Sequence, residues 1–142
     1  MSFFSKLFGK NPDYPPLDEG SAAAKQLAAV QEPLQKLADE VSDPLEIIPS
    51  EGTAYVFVGK PPKKFGLAWI HDGEVSNFKT LVEEKGLEPN ALRGIVEELT
   101  EAYEQSSEAK RYVTKIGKKP LVVTPNPELE KTVHEIMHRV AA

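Results

Sequence analysis

The chain contains no cysteine. That excludes disulfides, thiolate metal sites, iron–sulfur clusters, a cysteine nucleophile and covalent c-type haem attachment, and it fits a cytoplasmic setting. No apolar run approaches the length of a membrane span. The apolar residues near the start are interrupted by Ser5, Lys6 and Gly9, so no signal peptide is expected. Positive charge is in the minority: 17 Lys and Arg against 22 Asp and Glu give a formal net charge of −5, which weighs against nucleic acid as a partner. There is no dinucleotide fingerprint, no Walker loop and no G-x-S-x-G. With 142 residues, 40% of them hydrophobic, the chain is long enough to bury a core and reads as one domain.

One catalytic motif is present. Residues 134–138 read His-Glu-Ile-Met-His, which fits the zinc-protease pattern H-E-x-x-H, two imidazoles one helical turn apart with a Glu as general base. A catalytic zinc needs a third protein ligand, and only Arg139, Val140, Ala141 and Ala142 follow. Leu129, Val133, Ile136, Met137 and Val140 fall on one helical stripe, which leaves His134 and His138 toward solvent. Arg139 adds a cation beside the second histidine, which repels a dication. The motif is therefore read as a surface coincidence. Neither enzymatic activity, a metal nor a cofactor is expected.

The first residues are short and aromatic. As a helix, Phe3, Phe4, Leu7 and Phe8 share one side and Ser2, Ser5, Lys6 and Lys10 the other, the pattern of an interfacial anchor or docking peptide. Ser at position 2 rules out myristoylation. Pro12, Pro15 and Pro16 make residues 11–20 a semi-extended linker, so residues 1–20 read as tail and linker and residues 21–142 as the domain.

Within the domain, Ser21 is placed to cap a helix with a stripe of Leu27, Val30, Leu34, Leu37 and Val41, which Pro33 should kink or divide. Strands are expected at 45–48, 53–58 and 65–70, then an Asp72-Gly73 turn with room for a short strand through Val75. Asn77 caps a helix that Gly86 ends. Pro89 starts a second, with Leu92, Ile95, Val96, Leu99 and Tyr103 on its buried face. A hairpin over 111–123 turns at Gly117, and Asn126-Pro127 opens the last helix. The fold class expected is α+β: an antiparallel sheet of about five short strands with helices packed on it, in the order α-β-β-β-α-α-β-β-α.

Two clusters could carry function. Lys60, Lys63 and Lys64, with Lys110, Arg111, Lys115, Lys118 and Lys119, crowd the two hairpins. If both turns lie at one end of the sheet they form a basic patch on an acidic protein, an anion site for phosphate, acidic lipid or an acidic segment of a partner. The bland reading is solvated turns and edge lysines that block aggregation. Trp69, His71 and Asp72 adjoin a strand end. His71 and Asp72, as strand neighbours, should point to opposite faces, which argues against a His–Asp pair.

The helix stripe Leu27–Val41, the strands around Tyr55–Val58 and Phe65–Ile70, the helix Leu92–Tyr103, the strands over 111–116 and 121–123, and the helix Leu129–Val140 form an order that resembles the small acidic chaperones of type III secretion. The resemblance covers residues 21–142 and is one of topology, without a shared motif. It implies a dimer, often built around the middle helix, that binds segments of another protein. The sequence therefore points first to a non-enzymatic protein-binding domain of adaptor or chaperone type, cytoplasmic, with a homodimer implied. The alternatives are a peripheral membrane protein held by the tail at an anionic surface and a small-molecule-binding domain.

Overall fold

The computed structural model describes residues 14–50, 52–61 and 63–141. The aromatic positions Phe3, Phe4, Leu7 and Phe8 lie outside the described residues. Five helices are described: α1 (Ala22–Ala29), α2 (Gln31–Glu40), α3 (Phe78–Lys85), α4 (Pro89–Gln105) and α5 (Pro127–Ala141). They surround six strands: β1 (Leu45–Pro49), β2 (Thr53–Lys60), β3 (Lys64–His71), β4 (Glu74–Asn77), β5 (Tyr112–Ile116) and β6 (Lys119–Val123). None of the described helices is long and apolar enough to cross a membrane.

The local signals act where the sequence places them. Ser21 Oγ accepts from the Ala24 amide, and Asn77 forms a reciprocal capping box with Thr80, each satisfying amides a helix start leaves unpaired. Gly86 ends α3 at φ 68°, ψ 27°, and the Leu87 amide reaches back to the Leu81 carbonyl, the bond that closes a Schellman turn. Asp72 and Gly73 take φ 51° and 79°, the pair of left-handed residues that a tight hairpin requires. Asn126 Oδ1 accepts from the Leu129 amide at the start of α5.

The α+β class holds, but the sheet is not the five-stranded antiparallel one expected. It has six strands in the order β4-β3-β2-β1-β6-β5, and β1 pairs with β6 in parallel, Leu45 against Leu121 and Ile47 against Val123. The other pairings are antiparallel, so the sheet is mixed. The added strand is β4, where Val75 faces Ile70 across the Asp72-Gly73 turn. The first long helix is two. Val30 breaks it at φ −116°, and Pro33 falls in the first turn of α2, where its missing amide costs nothing.

Strand alternation splits the core into two layers. Leu45, Ile47, Ala54, Val56, Ala68, Ile70, Leu121 and Val123 face α1 and α2, packing on Leu34, Leu37 and Ala38. Ile48, Tyr55, Phe57 and Leu67 face the opposite way, onto Leu81, Ile95, Leu99, Leu129, Val133 and Ile136 of α3, α4 and α5. Helices thus cover both faces, and every residue of the inner strand β1 is buried, as expected for a strand sandwiched between helical layers. The segment before α1 is docked. Pro16 forms a parallel bridge with Val113, held by Leu17 N–H to Val113 O and Val113 N–H to Pro15 O, so this proline stretch covers the β5 edge.

Candidate functional site

The register settles where the two lysine turns lie. Leu45 opposes Val58 near the end of β2 and Leu121 near the start of β6. The β2–β3 and β5–β6 turns therefore sit at one end of the sheet, separated by β1 alone. At two strand steps, β2 and β6 run about 10 Å apart. Lys60, Lys63, Lys64, Lys115 and Lys118 are all exposed there. Lys60 and Lys64 are direct cross-strand partners, and alternation from Val58 and Leu45 places them on the α1–α2 face. Lys115 projects to the other face, and Lys63 and Lys118 occupy the turns.

Two members of the expected cluster are not free cations. Lys119 Nζ donates to the Val41 carbonyl at 2.6 Å, at the C-cap of α2, where a cation complements the helix dipole. Burial lowers its pKa, with Asp43 opposing that shift. Arg111 is buried on the α3–α5 side. Its Nε donates to Glu46 Oε2 at 2.9 Å, Nη1 to Ser106 O at 3.0 Å and Nη2 to Ser106 Oγ at 2.9 Å. Glu46 also accepts from Tyr103 Oη at 2.7 Å and Thr124 Oγ1 at 2.6 Å. The guanidinium lies 5.0 Å from the Tyr103 ring centroid. Burial opposes the Arg111 charge most, but the Glu46 carboxylate together with the Tyr103 and Tyr14 hydroxyls raises the pKa overall. Burial, then Glu46, pushes the Tyr103 phenol above the ordinary tyrosine range. Each polar atom of this cluster has a partner, so it holds the fold rather than awaiting a ligand.

The cluster was hidden because its members are 57 to 78 residues apart from Glu46 along the chain. The one local signal was Glu46 itself, an acid inside an otherwise apolar strand, which demands a buried partner.

The H-E-x-x-H residues sit on α5, which packs on the sheet face opposite Lys60 and Lys64. His134 and His138 are both exposed and their rings stack at 5.8 Å between centroids. His134 Nδ1 is bonded to the Tyr55 hydroxyl at 2.7 Å, and Ser50 Oγ donates to Glu130 Oε1 one turn earlier, so this row ties α5 to the sheet. Burial, with Glu130 adding, pushes the Tyr55 phenol up to about 12. Among the described residues, no group of three or more His, Asp or Glu is arranged to hold a metal.

At the far sheet end His71 and Asp72 do pair, contrary to the expectation of opposite faces: Nε2 to Oδ2 is 3.2 Å. Asp72 is in the turn rather than on the strand, and its positive φ swings the carboxylate back. Thr53 Oγ1 meets the other ring nitrogen at 3.2 Å. This trio resembles a nucleophile–base–acid order, but the His71 and Asp72 side chains are 67% and 86% exposed. Water competes for every bond there, so the arrangement lacks the desolvation that strengthens such a relay. Trp69 packs half-buried on the α3–α5 layer.

Comparison with protein-family models, with curated proteins and with solved structures finds no match to this chain.

Proposed function

We propose that this chain is a non-enzymatic binding domain that engages an acidic segment of another protein through the lysine end of its sheet. The observation that supports this most is the convergence of both lysine turns at one sheet end in a chain of net charge −5. A surface of one sign on a protein of the other sign steers partners to a single face and sets their orientation. The polar clusters elsewhere either satisfy their own hydrogen bonds or lie open to water.

Attachment of the same cations to an anionic membrane surface is the alternative reading. The dimer implied by the type III chaperone resemblance is not part of this reading. The outer face of α4 carries Glu97, Glu98, Glu101 and Glu104, all exposed, and two copies meeting there would repel.

The test is affinity capture from native lysate without detergent, run with the full chain, a version lacking residues 1–10, and Lys60→Glu/Lys64→Glu/Lys118→Glu. Recovery of one stoichiometric partner by the first two and its loss with charge reversal supports the reading. Capture limited to anionic vesicles and abolished by the truncation contradicts it in favour of a membrane role.

A further inference from the structure

Beside Lys60 and Lys64 the sheet end is hollowed. The recess has a volume of about 520 Å³ and is lined by Asp43, Pro44, Val58, Gly66 and the two lysines among others. Its floor follows from register. Leu45, Val58 and Gly66 are cross-strand neighbours in one row, and Lys60 and Lys64 form the next row out on the same face. Leu45 is buried under the helical layer, whereas Val58 is only half covered.

Two features of this recess cost stability with no visible return inside the fold. Like charges directly opposite on neighbouring strands repel, and among the described residues the ion pairs are His71–Asp72, Lys79–Glu83, Glu46–Arg111 and Glu98–Arg139. Neither Lys60 nor Lys64 has an acidic partner in that set. Gly66 is the second feature. Glycine inside a strand weakens it, and it commonly marks close approach of a bend, a bulge or a ligand. Gly66 is in register with Val58, its φ is not left-handed, and a Cβ built on it would meet nothing within 4 Å. Neither the backbone nor any neighbouring atom requires a glycine there, and its missing side chain leaves open space over the floor.

We infer that the recess over Val58 and Gly66 is an anchor pocket for one large apolar side chain of an acidic partner segment, with Lys60 and Lys64 pairing the carboxylates that flank it. This rests on the proposed role of the lysine end and names the chemistry of its partner. The apolar floor supplies the burial, and the two ammonium groups at the rim select acidic neighbours. Asp43, exposed on the loop before β1 and also lining the recess, repels a carboxylate beside it, so the apolar side chain enters and the carboxylates pair with the lysines.

Two fluorescein-labelled octapeptides test this by anisotropy with the full chain: one built of Glu and Ser alone, the other identical but for a central Phe. The central Phe tightens binding about tenfold, a typical return for burying part of an aromatic ring. Gly66→Val, which fills the floor with a residue suited to a strand, removes that gain and leaves the all-acidic peptide within about twofold of its wild-type affinity. Gly66→Ala gives an intermediate loss, and thermal unfolding of both variants verifies that they fold. Lys60→Glu/Lys64→Glu weakens both peptides. If the all-acidic peptide binds and the Phe adds nothing, or if Gly66→Val keeps the gain, the anchor pocket is overturned while the lysine reading stands. If neither peptide binds, both are overturned.

Discussion

Replacing Arg111 by Met removes the cation from a closed internal network and leaves Glu46 buried without it. Four charge-assisted bonds disappear: one to Glu46, two to Ser106 and a longer one to the Ala109 carbonyl. The side chains of Arg111 and Glu46 are 6% and 10% exposed, so water cannot replace the lost partner. Breaking a buried pair from one side costs about 3–5 kcal/mol. Against a total stability of about 5–15 kcal/mol for a single domain, that is a large fraction, and it corresponds to a fall in Tm of about 10–20 °C. Met keeps most of the volume, so the loss reports charge rather than a cavity. The assay is urea unfolding followed by the single tryptophan, Trp69, with a double-mutant cycle. Glu46→Gln/Arg111→Met removes both charges and recovers about 2 kcal/mol relative to additivity. A single-variant cost below about 1 kcal/mol, or strict additivity in the cycle, would refute the view that this network holds α4, β1, β5 and the β6 end together.

Three further outcomes follow from the geometry. Gly59→Ala destabilises more than Gly117→Ala, by about 1 kcal/mol or more. Both need positive φ, but the new methyl at 59 lies 2.8 Å from the Lys64 backbone carbonyl, whereas at 117 it meets the end of the Gln35 side chain, which can move aside; comparing unfolding midpoints decides. Asn77→Ala loses the α3 capping box and costs about 1 kcal/mol, measurable as faster amide exchange in residues 78–81. The third concerns alkaline stability. The Tyr55 pKa in the folded chain is about 12 against 10.0 for the free side chain, so above pH ~10 the unfolded chain releases a proton that the folded chain keeps. The stabilisation is complete below that pH and is lost as the pH climbs toward the folded value. Tyr55→Phe flattens this part of the stability profile, and an unchanged slope would contradict the assignment.

Much of the fold was legible because local chemistry wrote it. Ser21, Asn77, Gly86, Pro89, Asn126 and Asp72-Gly73 act within a few residues of themselves, so capping and turn rules located their elements. The parallel pairing of β1 with β6 was not legible, because residues 45–47 and 121–123 meet only after four intervening strands and two helices are placed. The basic patch was half legible. Composition located the lysines, while register alone brought the turns together and backbone geometry removed Lys119 from the free set. Arg111 was misread as surface charge for the same reason, since nothing beside it in the chain announces Glu46. The His71–Asp72 pair escaped because a left-handed turn residue overrides strand alternation.

The lysine end is tested most directly by NMR, as a map of amide shifts in the full chain while the Phe-centred acidic octapeptide is added. Saturable shifts are expected over residues 58–61, 63–66 and 115–118, and they collapse when salt rises from about 50 to about 500 mM, since exposed charges are screened over a few ångströms there. Shifts confined to α4, α5 or the His134–His138 row, or no shifts at all, would contradict it.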